Sequence, residues 1–182
     1  MKQIHMVWER VCSLRITAML VLSVLLLLSG CLGIPKGVQP VQDFAVAGYL
    51  GTWYEIVRLD HRFERGLSRV SAQYSLREDG TLRVVNRGYL GEKGIWKSIE
   101  GRGRFVSSRD TGYLKVSFFG PFYSSYVIFE LEPMYQYAFV TSATKDYLWL
   151  LARTPSVEQA VIDKFVARSK ELGFATEDLI FN

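Results

Sequence analysis

Val70–Tyr89 reads VSAQYSLREDGTLRVVNRGY. In its first half Val70, Ala72, Tyr74 and Leu76 alternate with Ser71, Gln73 and Ser75. Successive side chains of an extended chain point to opposite faces, so this alternation predicts a strand with one buried face. Glu78-Asp79-Gly80-Thr81 then puts Asp-Gly at the centre of a turn, where glycine supplies the backbone a tight hairpin needs. Leu82–Tyr89 returns as the second strand of the hairpin.

The same pattern continues in both directions. Thr52–Arg58 is strand-like on the N-terminal side. On the other side a turn at Gly91–Gly94 leads into Ile95–Val106, a long strand that contains Gly101 and Gly103. Glycines inside a strand permit the sharp bends of a barrel corner. Ser107–Gly112 turns the chain, Gly120-Pro121 joins Tyr113–Phe119 to Phe122–Leu131, and Tyr137–Thr141 and Tyr147–Arg153 follow. Eight successive strands with short connections predict an all-β fold, an eight-stranded antiparallel up-and-down barrel whose closure removes exposed sheet edges. One C-terminal α-helix is expected outside it. Thr154 is its expected N-cap and Pro155 its first residue, with Val157, Val161 and Phe165 along one apolar stripe and Gly173 at its end. Leu179–Phe181 reads as a last strand returning to the sheet.

The N-terminus has another character. Ile16–Leu28, ITAMLVLSVLLLL, carries no charge and follows Lys2, Arg10 and Arg15. Thirteen such residues are too few for a spanning helix, which needs about 20, and suit the core of a signal peptide. Met6 is an alternative start. Leu28-Ser29-Gly30-Cys31 resembles the lipobox of bacterial lipoproteins. The resemblance implies cleavage after residue 30 and a diacylglycerol thioether and N-acyl group on Cys31. Leu32 is not the Asp that resembles an inner-membrane retention signal, so the outer membrane is implied, with the domain facing the periplasm. The expected division is therefore 1–30 signal peptide, 31–42 lipidated N-terminus and tether, and 43–182 folded domain.

Composition supports that division. The 182 residues carry a net charge of +4, and 49% are hydrophobic, too apolar and too weakly charged for disorder. Removing residues 1–30 takes away Lys2, Glu9, Arg10, Arg15 and Cys12 and leaves a net +2. That balance gives no support for nucleic-acid binding, and a single remaining cysteine excludes an intramolecular disulfide.

Gly51-Thr52-Trp53-Tyr54 resembles the G-x-W signature of lipocalins, and Arg153, at the end of the last barrel strand, fits the family's final block. Three segments look like bacterial outer-membrane lipocalins, a group similar to apolipoprotein D. They are Gly51–Ile56, Asp60–Gly66 and Lys115–Tyr123. The resemblance implies that Arg153 packs over Trp53 and closes one end of the barrel, with Gly51 allowing close approach of backbones. The family's middle block, T-D-Y, is matched only by Tyr135 of Glu132-Pro133-Met134-Tyr135, which puts the usual geometry of that loop in doubt.

Chemistry is sparse. His61, the only histidine after residue 30, sits in a polar segment with Asp60, Arg62 and Glu64, and reads as a solvated loop at the barrel mouth. Neither it nor an Asp60–Glu64 carboxylate pair has the partners that a metal site or general base needs. No metal or cofactor is expected. If Trp53 faces inward, alternation turns Glu55 and Val57 inward too, and Arg153 places Leu151, Trp149 and Tyr147 on the inner face. Val57, Phe118, Tyr126, Tyr147 and Trp149 are the candidate ligand contacts in a mostly apolar cavity. The resemblance implies binding or transport of fatty acids or lysophospholipids for membrane maintenance, and family members are sometimes homodimers. The alternatives are a lipocalin-fold enzyme acting on a lipid, with Glu55 as its acid–base group, and a structural lipoprotein with a filled barrel.

Overall fold

The computed structural model describes residues 33–182, so the expected signal peptide and Cys31 lie outside the described residues. A one-turn helix α1 (Val46–Tyr49) leads into β1 (Gly51–Leu59), β2 (Leu67–Leu76), β3 (Leu82–Leu90), β4 (Ile95–Phe105), β5 (Tyr113–Phe119), β6 (Phe122–Leu131), β7 (Tyr137–Thr141) and β8 (Leu148–Ala152). Helix α2 (Gln159–Glu171) and a short β9 (Leu179–Phe181) complete the chain. Each strand pairs antiparallel with the next, and β1 pairs with both β8 and β2, so the eight strands close on themselves.

The seam between β1 and β2 is split. Gly51–Tyr54 pair with β2, whereas Val57–Leu59 pair with β9. The expected last strand thus fills the edge of β1 that β2 leaves. A second gap lies between β4 and β5. Their pairing stops at Arg102↔Ser117, and Ile95–Gly101 are held by β3 alone.

Two cores result. One fills the lower barrel with Phe44, Tyr49, Trp53, Tyr74, Leu82, Val84, Leu114, Ile128 and Val140. The other lies between the outer barrel wall and α2, around Val57, Phe129, Phe139, Leu150 and Phe165. Helix α2 starts later than expected, at Gln159 after Glu158, because Thr154 bonds to the carbonyl of Ser156 and closes a local bend instead of capping the helix. Its end is as expected. Gly173 takes φ +77°, its N–H donates to Lys170 O, and Phe174 N–H reaches back to Ser169 O. This is the paired-bond left-handed cap that glycine favours.

The segment expected as a tether packs against the barrel from Gly33 onward. Val38 is buried beside Phe129 and Phe174. Val41 N–H donates to Ile128 O, and Val41 O accepts from Gly112 N–H, both at 2.9 Å. A Cβ on Gly112 would lie 2.6 Å from Val41 Cγ2, so this contact requires glycine at 112. Pro35, Val38 and Val41 therefore act as apolar anchors, and their irregular spacing hides that role in the sequence.

Candidate functional site

The barrel has one closed end and one open end. At the closed end Arg153 Cζ sits 4.0 Å from the centroid of the Trp53 ring. Arg153 also donates to Thr52 O (2.9 Å), Gly48 O (2.5 Å) and Tyr135 O (3.2 Å), which satisfies three carbonyls of different segments with one planar fork. Trp53 is fully buried, and its Nε1–H donates to Tyr49 O at 2.8 Å. Gly51 takes φ +96°, a backbone angle that favours glycine, and Arg153 lies at contact distance, 3.4 Å, from where a Cβ would stand. Gly51, Trp53 and Arg153 thus meet at the closed end.

Tyr135 belongs to the same closure. Its hydroxyl accepts from Ala45 N–H at 2.8 Å, and its ring lies over Gly48. Glu132 organises that loop by accepting from the N–H groups of Met134 and Gln136. Glu132 stands at the start of the departing block, where a carboxylate was the available signal.

Above the closure lies a floor of three tyrosines. Tyr126 Oη stands 2.7 Å from Tyr49 Oη and accepts from Tyr74 Oη at 2.9 Å. Burial pushes all three phenols above their ordinary range, and mutual repulsion adds to this at Tyr49 and Tyr126. Tyr126 therefore faces inward, and its hydroxyl is already committed to its neighbours.

The open half differs. One wall carries Trp149, Tyr147 and His61, with the His61 ring 5.2 Å and 5.3 Å from the other two. Trp149 Nε1–H donates to Glu64 Oε2 at 3.2 Å, and His61 Nε2 lies 3.0 Å from the same oxygen. Behind them Arg58 Nε is 3.1 Å from Glu55 Oε1, which also accepts from Asn182 Nδ2 at 2.8 Å. Arg58 further braces the 60–66 loop through Asp60 and the Glu64 carbonyl. Burial lifts the Glu55 carboxyl well above the usual range, and the nearby Glu64 adds to this. Burial acts the same way on Glu64, but hydrogen bonding and charge from His61, with bonds from Glu55 and Trp149, hold it below that range. The two neighbouring carboxyls are thus shifted in opposite directions by their surroundings.

Two expectations change here. His61 is buried among aromatics, not solvated, because the loop folds back over Trp149. The carboxyl partner of Glu64 is Glu55 from β1, since Asp60 turns to Arg65. Val57 is also corrected. The β1–β8 register shifts between Glu55 and Val57, so both Ile56 and Val57 face α2 and Val57 lies outside the cavity. Such a bulge inverts the alternation beyond it.

The opposite wall is bare. Register places Ile95 opposite Leu90 and Ile99 opposite Asn86, on the inward face shared by Val84 and Gly101. Yet Ile95 and Ile99 are exposed, as are Phe119 and Phe122 at the tip of the β5–β6 hairpin. Phe118 covers Gly101, at the inner end of a cleft of about 310 Å³ between β4 and the β5–β6 hairpin. Phe118 at Gly101, Tyr126 in the tyrosine floor, and Tyr147 and Trp149 beside His61 thus border the upper half of the barrel, with a polar cluster on one wall. Among the described residues no group of three His, Cys, Asp or Glu is placed to hold a metal.

Residues 44–182 match the lipocalin-like domain. The outer membrane lipoprotein Blc of Vibrio cholerae is 59% identical over 156 residues, covering 85% of this chain and 91% of that protein. Apolipoprotein D of Rattus norvegicus is 32% identical over 151 residues, covering 75% of this chain and 76% of that protein. Insecticyanin from the tobacco hornworm Manduca sexta superposes with a TM-score of 0.65 at 20% identity, covering 82% and 86% of the two chains, and shows the fold. By the domain match, the close bacterial relatives and the Trp53–Arg153 closure, this chain belongs to the lipocalin family, with the Blc lipoproteins and apolipoprotein D among its relatives.

Proposed function

We propose that this lipocalin is an outer-membrane lipoprotein, acylated at Cys31, that takes the acyl chain of a fatty acid or lysophospholipid into the open half of its barrel. One observation carries the reading. The lower half is filled by buried aromatics, while inward-facing side chains of the upper half, Ile95 and Ile99, stay exposed and unpartnered. An apolar chain entering there covers both. Burial contributes about 0.8 kcal/mol per methylene, so eight methylenes gain about 6 kcal/mol before ordering costs, and modest polar contacts bring this near the ~8 kcal/mol of micromolar binding. The bacterial relatives named as outer membrane lipoproteins support the location.

The cluster around Glu55 supports binding over turnover. Its carboxyl is engaged by Arg58 and Asn182 and points into a braced wall. The test is titration of the detergent-solubilised, acylated protein with a fluorescent fatty acid, followed by displacement with palmitate and with lysophosphatidylethanolamine. Saturable binding, displaced by either lipid and weakened by Trp149→Ala, is expected. Absence of saturable binding would leave the filled-barrel structural lipoprotein as the better reading.

A further inference from the structure

The path by which the chain enters the domain restricts how the barrel can face a membrane. Strand β6 runs from the open end at Phe122 to the closed end at Leu131. The N-terminal segment follows its outer side in the opposite sense. Val41 is bonded to Ile128, near the closed end, and Gly33 N–H donates to Ser125 Oγ at 2.9 Å, nearer the open end. Read backward, the segment climbs toward the mouth, held by Val38 in the outer core and by Gly37 against Leu172. Only Leu32 separates Gly33 from Cys31, a reach of at most about 7 Å over two Cα steps. Ser125 is three residues from Phe122, about 10 Å along the strand. A lipid on Cys31 is therefore confined to the neighbourhood of the β5–β6 hairpin and the mouth.

The surface chemistry points the same way. The mouth exposes Phe119 and Phe122 on that hairpin, Phe63 between β1 and β2, and Ile95 and Trp96 beyond the β3–β4 turn. Among them Arg62, Arg65, Arg69, Lys93 and Lys97 are exposed, against exposed Asp60, Glu92 and Asp146, with Asp60 paired to Arg65. Aromatic and aliphatic side chains interleaved with cations suit the interface of an anionic bilayer. The closed end instead mixes exposed Asp43, Glu78, Asp79 and Asp110 with exposed Arg104 and Arg109, and Arg102 lies 4.0 Å from Asp79. Among the described residues, none of the exposed aromatic rings stands there.

We infer that the barrel docks mouth-down on a phospholipid surface, with Phe119 and Phe122 entering the interface beside the acylated Cys31, so that the chamber opens directly onto lipid. The inference rests on the acylation of Cys31 proposed above. In this arrangement a lipid enters the barrel without crossing water, and the cleft between β4 and the β5–β6 hairpin lies at the interface.

The test uses the full acylated chain reconstituted in vesicles of phosphatidylethanolamine and phosphatidylglycerol. An environment-sensitive fluorophore is placed by Phe119→Cys at the mouth or by Met134→Cys at the closed end; both side chains are exposed, so folding is not at risk. Quenching by lipids carrying a quencher on the acyl chain is expected to be several-fold stronger at 119 than at 134. Replacing phosphatidylglycerol by a zwitterionic lipid is expected to reduce it. Equal, reversed or absent quenching overturns the docking. So does energy transfer between labels at 119 that persists in detergent, since a second copy then covers the mouth. The mass of the Cys31 peptide separates the two premises. Missing acyl groups overturn the anchor and the docking together, whereas acyl groups with no preference for 119 overturn the docking alone.

Discussion

Trp53 and Trp149 stand at opposite ends of the barrel, each with one N–H to place. Trp53 is fully buried under Arg153 and donates to a backbone carbonyl, which neither moves far nor titrates. Trp149 is half-buried and donates to Glu64, a carboxylate on a loop. At the closed end the donors of Trp53 and Arg153 are met by backbone carbonyls. At the open end the partners are ionisable, carried on the 60–66 loop, and face exposed apolar residues. The closed end therefore holds the barrel together, and the open end retains the freedom to rearrange around a guest.

The largest expected effect tests that division directly. Trp53→Ala removes a fully buried indole and the platform of Arg153, and is expected to cost about 3–5 kcal/mol. Trp149→Ala, at a half-buried position with solvent able to reach the gap, is expected to cost about 1–2 kcal/mol while weakening lipid binding. Urea denaturation of both variants decides the matter. Equal costs would mean that the two ends share the structural load.

The closed end also carries the next effect, an alkaline one. Tyr49, Tyr74 and Tyr126 hold their protons in the folded protein above the pH at which an exposed tyrosine ionises, near 10.0. Above that pH the folded state binds more protons than the unfolded chain, so stability falls as pH rises. The slope is about 1.4 kcal/mol per pH unit for each tyrosine that ionises only on unfolding. Tyr126→Phe is expected to remove one tyrosine's share of the slope. An unchanged slope in that variant would show that the floor does not hold its protons as its burial implies.

Arg153→Lys comes below these. A lysine keeps the charge but loses the fork that reaches Thr52, Gly48 and Tyr135 together, and a loss of about 2 kcal/mol is expected, read from the thermal midpoint. A loss as small as that of a surface charge would mean that the stacked ring, not the fork, is what closes the barrel.

The same contrast explains what could be read before the structure. The closed end was legible because Gly51, Trp53 and Arg153 are few, chemically distinctive and fixed relative to strands whose alternation is clear. The strands themselves follow from period two. What failed depends on events that leave no trace in alternation. The bulge after Glu55 turns Val57 outward although its spacing from Trp53 says inward. The folding back of 60–66 buries His61 and Glu64, and no local pattern marks a loop that will pack on Trp149. The segment before Asp43 reads as a tether in the sequence because Pro35, Val38 and Val41 anchor it without periodicity; Gly112, which makes room for Val41, lies far away in sequence.

The smallest expected effect concerns the open end and has the opposite pH range. The raised carboxyl of Glu55 means that the folded state binds its proton more tightly than the unfolded chain, so this group's contribution falls as pH rises above the ordinary carboxylate range. Glu64 acts in reverse: its lowered carboxyl contributes stability that is present above the unfolded value and lost as pH falls through the folded one. Glu55→Gln removes the first effect and keeps the volume and the oxygen that accepts from Asn182. Arg58 retains Asp60 and Glu64 as partners. The cost near pH 5 is therefore expected to stay below about 1 kcal/mol, well under the 3–5 kcal/mol of breaking an isolated buried ion pair. From there toward neutral pH the variant is expected to gain on the parent, as measured by urea midpoints across the range. A loss of about 3 kcal/mol with no dependence on pH would mean that Glu55 is held as an anion for Arg58, and that the open end is as rigidly committed as the closed one.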